Sequence, residues 1–135
     1  MLKYLCFWLL LFAVTGCGTI VSPTIIPSPT AITGDAARGD DIFHHGVNEA
    51  PPCSTCHQVV SGAFGFSLGP NLAGVAERAA SRIAGLSAEA YLHQSILEPH
   101  AYVVSGYRDI MYPDFALHLS EQEVADLIAY LVTLR

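Results

Sequence analysis

The feature that most restricts what this chain can fold into is a run of five residues, CSTCH, at positions 53–57. Its thiols, Cys53 and Cys56, are three positions apart, and His57 follows directly. One tight turn can present both thiols to the vinyl groups on one edge of a porphyrin, where each forms a thioether. The histidine is then held beneath the ring, so that its imidazole can ligate the iron. The pattern therefore predicts covalent attachment of one c-type haem.

A structural zinc site and a thioredoxin-like redox motif are the alternatives to haem attachment. A zinc site usually needs a second Cys or His pair at short spacing, and the sequence has no second C-x-x-C and no H-x-x-x-H. A redox C-x-x-C normally lies near a βαβ pattern, and no run of strands is visible in the sequence. Haem attachment is therefore favoured over both.

The remaining cysteines lie in an N-terminal segment that is typical of exported proteins. Cys6 is inside an apolar run, residues 5–14, which follows the single positive charge of Lys3. This is the layout of a signal peptide. The small residues directly before Cys17 resemble a bacterial lipobox, in which such residues precede a cysteine that is lipidated. We therefore predict a lipoprotein signal peptide at residues 1–16 and a lipid anchor on Cys17.

An uncleaved membrane anchor is the alternative to lipidation. Residues 4–31 carry no charge, and about 20 apolar residues are enough to cross a bilayer. Glycines and prolines interrupt this stretch, however. Residues 17–34 are rich in Pro, Ser and Thr and are predicted to form an extended tether, which leaves residues 35–135 as one domain. Either anchor would hold that domain at the outer face of a bacterial cytoplasmic membrane.

Two helices of the domain are predicted from the residues at their ends. Asp35 is a suitable N-cap for a helix over residues 36–45, which Gly46 closes. Ser87 caps a second helix over residues 88–97, which ends at a Glu-Pro pair because the residue before proline is disfavoured in a helix. A shorter helix is expected around residues 72–80.

The final helix has the strongest sequence pattern. Ser120 and Glu123 form a capping box at its start. Its apolar residues recur at the spacing of one buried helix face; they are Val124, Leu127, Ile128 and Leu131. Because no alternating strand pattern persists in the sequence, the predicted fold class is all-α.

Residues 35–135 resemble the class I, mitochondrial-type cytochrome c family. The first helix of that family carries a glycine and, four residues on, an aromatic, matched here by Gly39 and Phe43. Its last helix carries an aromatic that packs against the glycine, matched by Tyr130, and GPNL at residues 69–72 matches the loop after the haem motif. The resemblance implies helices wrapped around one covalent haem and a function in one-electron transfer.

The resemblance also implies residues of the haem pocket. In the family, the carbonyl of the proline matched by Pro70 accepts a hydrogen bond from the proximal histidine, which would orient His57. Asn71 and Tyr107 are expected to line the same pocket. Arg108 either pairs with a haem propionate or is a plain surface cation.

Met111 is the predicted second axial ligand of the iron. It is the one methionine outside the leader, and the family has a methionine in this region. The family usually has proline directly after it, where this chain has Tyr112. A core gap-filler and a histidine ligand are the alternatives. His100, in a loop, is the most credible rival; the other histidines outside the motif are His44, His45, His93 and His118.

Coordination and charge limit the classes of function. An iron with His and Met ligands has no open position for a substrate and has a raised reduction potential. The sequence shows no nucleophile–base pair, so whether the chain is part of an enzyme stays open. Removal of residues 1–16 leaves 12 acidic and five basic side chains, a net charge of −7. Such a domain would not adhere to nucleic acid or anionic lipid, and it suits a basic face on a redox partner.

Residues 95–107 resemble the monohaem domains of respiratory membrane complexes, including subunits of haem–copper oxidases and of alternative complex III. Those relatives commonly have Asn where His100 stands and Pro where Ser105 stands. The resemblance implies a relay subunit of a respiratory or photosynthetic quinol-oxidising complex. A free-standing tethered electron shuttle is one alternative. A haem-based ligand-binding or sensor domain is another, and it requires that Met111 be absent from the iron or easily displaced.

Overall fold

The two ends of the domain meet as a pair of crossed helices. The computed structural model describes residues 32–62 and 67–135, so Cys6, Cys17 and the predicted signal peptide lie outside the described residues. Helix α1 covers Ala36–His45 and the last helix, α5, covers Glu121–Leu131. Between them lie α2 (Val75–Ala79), α3 (Ala88–Leu97) and α4 (Phe115–His118). No β-strand occurs in the described ranges, and the predicted all-α class is confirmed.

The caps that the sequence predicts are present. The Asp35 side chain accepts hydrogen bonds from the backbone N–H groups of Ala37 and Arg38, and the Ser87 hydroxyl accepts one from Ala90. At the start of α5, the Ser120 side chain accepts from the Glu123 N–H while the Glu123 carboxylate accepts from the Ser120 N–H. Each cap satisfies backbone donors that the first turn of a helix otherwise leaves unpaired.

Gly39 allows α1 and α5 to approach closely. A Cβ at this position would lie 2.5 Å from the Asp126 carbonyl carbon and 2.8 Å from the Tyr130 Cβ, so no other residue fits without moving a helix. The rings of Phe43 and Tyr130 pack beside this crossing with centroids 5.4 Å apart. The pairing of glycine and aromatic expected from the sequence is therefore realised at the crossing.

A buried polar network also joins the two helices. Asp126 is fully buried and its Oδ1 accepts hydrogen bonds from the Asp35 N–H and from the Gln122 side chain, both at 2.8 Å. The Arg38 Nε lies 3.2 Å from Oδ2 of the same carboxylate as an ion pair without hydrogen-bond geometry. Because a buried carboxylate is costly unless it is paired, these contacts fix the register of α1 on α5.

Some elements differ from the sequence prediction. Helix α2 is shorter than residues 72–80, and α4 and two 3₁₀ turns, Cys53–Thr55 and Pro99–Ala101, were not predicted. The end of the predicted tether packs against α5: the Thr33 carbonyl accepts a hydrogen bond from Gln122 at 2.9 Å. Gly34 is equally close to α5, since a Cβ there would lie 2.8 Å from the Ala129 Cβ.

The buried core lies between these helices and extends to α2, α3 and α4. Its members are Ile42, Phe43, Ala50, Val75, Ala79, Tyr91, Leu92, Ile96, Phe115, Leu119, Val124, Leu127 and Leu131. Met111 is partly buried and packs against this core. Within residues 32–62 and 67–135, no helix has the length and apolar character needed to cross a membrane.

Candidate haem site

The Cys53–Thr55 turn brings the motif residues together. The Cys53 carbonyl accepts hydrogen bonds from the N–H groups of Cys56 at 3.1 Å and His57 at 3.0 Å. Cys53 and Cys56 are free thiols on this turn, both partly buried. Burial is the main cause that raises the pKa of the Cys53 thiol to about 11. The unattached thiol is therefore protonated near neutral pH.

His57 is fixed in one orientation by the loop that follows the motif. Its Nδ1 lies 2.8 Å from the Pro70 carbonyl oxygen. Because a carbonyl only accepts, Nδ1 carries the proton, and Nε2 keeps the lone pair that a metal ligand needs. Burial lowers the pKa of His57 and outweighs the Pro70 hydrogen bond, which raises it. The ring is therefore favoured in its neutral, ligating form.

Gly69 makes room for the His57 ring, a role that the sequence alone did not reveal. A Cβ on Gly69 would lie 2.7 Å from Nδ1 and 2.8 Å from Nε2 of His57. The imidazole therefore rests directly on the glycine backbone. The Gly69 N–H also donates to the Cys56 carbonyl at 2.9 Å, which ties this loop to the motif turn.

Two cavities meet at His57. The inner cavity faces the core and the outer cavity faces the motif turn, and both are lined by Cys53, His57 and Met111. The inner wall is largely apolar and includes Phe43, Leu72, Val75, Leu92, Ile96, Leu127 and Leu131. The outer wall includes Pro51, Pro52, Cys56, Leu68, Ile110, Tyr112 and Phe115. Thiols, an imidazole and a thioether facing an apolar slot fit the donor set of a haem c.

Met111 is the sulfur ligand candidate that faces this slot. It is partly buried, and the ring of the next residue, Tyr112, packs edge-on against Phe115 with centroids 5.1 Å apart and planes at 78°. Tyr112 thus occupies the place of the proline usual in the family, and the aromatic contact holds the backbone beside Met111 to the core.

The rival histidines lie away from the slot. None of the five histidines outside the motif lines either cavity. His44 and His45 are exposed at the end of α1, where each Nδ1 lies near a backbone carbonyl and a carboxylate of the same helix. His100 is exposed and its Nδ1 lies 2.6 Å from Asp109 Oδ1. The placement of the histidines therefore favours Met111 over a second histidine.

The polar residues of the pocket are only partly those expected. Pro70 and Asn71 line the inner cavity. Tyr107 lines an open groove that shares Pro70 and Asn71 with the inner cavity. Arg108 is exposed and lines neither the groove nor the two cavities. The structure therefore brings Tyr107 together with Pro70 and Asn71 in the groove, whereas Arg108 lies apart from them.

The inner cavity also contains two arginines that the sequence analysis did not predict. Arg78 and Arg82 line both the inner cavity and the groove that contains Tyr107. Arg78 donates to the carbonyls of Asn71 at 2.7 Å and Ala73 at 2.6 Å. Arg78 lies on the short helix α2 and Arg82 in the turn that follows it. Sequence reasoning missed both, since a basic pair four residues apart is not a specific signal.

Comparison with known proteins agrees with this geometry. The family model described as Cytochrome c matches residues 36–135. A search of curated proteins returned no match. Among the described residues, no group of three or more His, Cys, Asp or Glu could hold a metal ion by itself. The family's cofactor is covalent haem c, its function is electron transfer to redox partners, and Cys53, Cys56 and His57 fit that attachment. The chain belongs to the cytochrome c family.

Proposed function

We propose that this protein transfers single electrons through one haem c attached at Cys53 and Cys56, with His57 and Met111 as axial ligands. The observation that supports these ligands best is that His57 and Met111 line both cavities of the slot. The walls of both cavities are largely apolar. The bound haem supplies the one-electron redox couple. The chain supplies attachment, ligands and a shielded environment.

The residues around the slot would set the reduction potential. The Pro70 carbonyl, 2.8 Å from His57 Nδ1, keeps the imidazole in its ligating tautomer. A thioether ligand from Met111 favours the ferrous state and raises the potential. The apolar walls disfavour the extra positive charge of the oxidised iron. If His57 and Met111 both bind the iron, no coordination position would be left open for a substrate.

Arg82 is the residue best placed to face a haem propionate. It lines the inner cavity and is partly buried. Arg78 lines the same wall, but its guanidinium already donates to backbone carbonyls of residues 71–74. Arg82 therefore has more freedom to pair with a carboxylate, and Arg108 is the alternative that the family resemblance offered.

The role we propose in the cell is an electron relay on the outer face of a bacterial cytoplasmic membrane. A lipid on Cys17 and the tether of residues 17–34 would hold the domain near other redox subunits. The segment of residues 95–107 resembles that of monohaem subunits of alternative complex III and of haem–copper oxidases. The acidic domain would meet a basic face of its partner. A free-standing tethered shuttle and a haem-based sensor are the alternatives.

Spectroscopy of the holoprotein tests the ligand assignment. Mass spectrometry should show one haem that survives acid–acetone extraction. Wild-type ferric protein should show the weak far-red sulfur-to-iron band, and Met111→Ala should abolish it and open the iron to cyanide. Leu117→Ala is the control, since Leu117 is 79% exposed and lines neither cavity. If Met111→Ala changes nothing while His100→Ala does, His100 is the ligand.

Purification from membranes tests the relay role. The wild-type protein should copurify with other redox subunits after gentle solubilisation, and its haem should be reduced by quinol within the turnover time of the complex. Cys17→Ser should release the protein or leave an uncleaved precursor. A haem that stays oxidised during turnover, or a domain that never copurifies, would favour the shuttle instead.

A further inference from the structure

The segment that leads to Met111 has little structure of its own. Residues 102–110 form neither helix nor strand, and all of them except Val104 are exposed. Its backbone hydrogen bonds are short-range: the Tyr107 N–H donates to the Val104 carbonyl and the Ile110 N–H to the Arg108 carbonyl, both at 3.1 Å. Such a segment opens readily unless something fixes its ends.

One side-chain contact closes this segment into a loop. His100 Nδ1 lies 2.6 Å from Asp109 Oδ1, across nine positions of sequence. Among the described residues, no other side-chain hydrogen bond begins or ends between residues 100 and 119. An Nδ1–H donated to a carboxylate is a charge-assisted hydrogen bond, which is stronger than a neutral one.

The His100 end of the contact is attached to the core. His100 lies in the Pro99–Ala101 turn that directly follows α3, and Pro99 is buried. The Ala101 N–H donates to the Glu98 carbonyl at 2.9 Å, which closes this turn. A side chain on this anchored turn therefore contacts Asp109, which precedes Met111 by two positions.

We propose that the His100–Asp109 hydrogen bond is a latch that positions Met111 toward the iron. This inference rests on the ligand role proposed for Met111. On the far side of the methionine, Tyr112 is held by its contact with Phe115, so the backbone around Met111 has one anchor before it and one after it. His100 is thus a positioning residue, and it acts without touching the iron.

Loss of the latch should loosen the ligand without unfolding the domain. Because both side chains are about half exposed, a contact of this kind changes an equilibrium constant by up to about fivefold. In His100→Leu, cyanide should therefore bind the ferric iron about 2- to 5-fold more tightly. The far-red band should weaken and the reduction potential should fall, because the thioether spends less time on the iron.

Matched variants separate positioning from a general effect on the loop. His100→Asn keeps a donor close to the position of Nδ1 and should restore wild-type cyanide affinity and band intensity. Asp109→Ala should reproduce His100→Leu, and the two changes should be non-additive when combined. His93→Leu is the control of the same residue type, exposed on α3 and outside both cavities.

The outcomes distinguish the latch from the ligand assignment. If the wild-type protein shows the far-red band and His100→Leu binds cyanide like His93→Leu, the latch is wrong and the ligand assignment stands. If the wild-type protein lacks the band, the ligand assignment is wrong and the latch falls with it. Additive effects of His100→Leu and Asp109→Ala would also overturn the latch, since they would show that the two side chains act separately.

Discussion

The crossing of α1 and α5 and the loop before Met111 are stabilised in different ways. At the crossing, Phe43 and Leu127 are each 1% exposed and Asp126 is fully buried. In the loop, Tyr107 is 39% and Ile110 is 44% exposed. Regions with many buried contacts open only when the whole domain unfolds, whereas exposed segments open locally. The proposed iron ligand, Met111, therefore directly follows an exposed loop that opens locally. The packed helices α1, α3 and α5, called the frame below, open only with the whole domain.

The largest effect is expected at the helix crossing. Gly39→Ala places a methyl group 2.5 Å from the Asp126 carbonyl carbon, and α1 and α5 must move apart to admit it. Overpacking of this kind costs about 1–3 kcal/mol, occasionally more, and here we expect a loss of about 3 kcal/mol or more in the free energy of unfolding. Denaturant titration of the holoprotein measures it.

The control for Gly39→Ala separates crowding from helix propensity. Alanine is favoured over glycine in a helix by about 1 kcal/mol. Ala90→Gly at an exposed position of α3 measures that preference with the opposite sign. If Gly39→Ala proves as stable as the wild type or more so, the helices are not in the close contact that the structure shows.

The second prediction concerns the contact between Gly69 and the His57 ring in the haem slot. Gly69→Ala should push the His57 ring away, because a Cβ there would lie 2.7 Å from Nδ1. The hydrogen bond to the Pro70 carbonyl would be lost or strained, at a cost of about 1–3 kcal/mol. We expect lower stability together with a changed reduction potential.

A control for the added methyl group is Gly62→Ala, where no atom lies within 4 Å of the added Cβ. Gly62 has a positive φ of 71° and Gly69 does not, so the two variants are compared by reduction potential and not by stability. An unchanged potential in Gly69→Ala, or a change equal to that of Gly62→Ala, would contradict the contact between Gly69 and the ring.

The third prediction concerns the pH dependence of the stability that Glu123 contributes at the start of α5. Hydrogen bonds from the Ser120 N–H and hydroxyl lower the pKa of Glu123. A carboxylate with a lowered pKa in the folded state contributes stability above its ordinary pKa, and this stability is lost as the pH falls through the folded pKa. Glu123→Gln should therefore lower stability near neutral pH by about 1–2 kcal/mol.

The pH profile provides the test of that assignment. The difference between wild type and Glu123→Gln should shrink at acidic pH, where the wild-type carboxyl is protonated and resembles the amide. Unfolding curves from pH 7 downward measure it. Glu89→Gln, at an exposed carboxylate in the first turn of α3, is the control. A difference that stays constant with pH would show that the ionised form of Glu123 is not stabilised.

The sequence predicts the frame well because its signals are local. Asp35, Ser87 and the Ser120–Glu123 box are caps, and the apolar stripe of α5 has the helical period, so α1, α3 and α5 follow from neighbouring residues. Helix α4 was missed because it spans only Phe115–His118, which is too short to show a periodic pattern.

The site could be predicted only where it is a motif. The thiols and His57 are consecutive in sequence, and the Pro70 hydrogen bond to His57 came from a family resemblance that the structure reproduces. The contact of Gly69 with His57 and the placement of Arg82 depend on how distant segments fold together. From the sequence, Arg108 was open to a propionate contact or to a surface position, and folding leaves it exposed.

The smallest effect on global stability is expected in the loop, and it sharpens the contrast with the frame. Tyr107→Ala should change the free energy of unfolding by less than about 0.5 kcal/mol, as is usual for exposed side chains.

Hydrogen exchange should distinguish the two regions within the wild-type protein. The amides of Tyr107 and Ile110 should exchange through local opening, much faster than the amides of Leu127 and Leu131, which should exchange only on global unfolding. His100→Leu should speed exchange in the loop and leave α5 unchanged. Loop amides protected as strongly as those of α5 would mean that the loop and the frame unfold as one unit, so that Met111 would be held by the whole domain and not by its two neighbouring anchors.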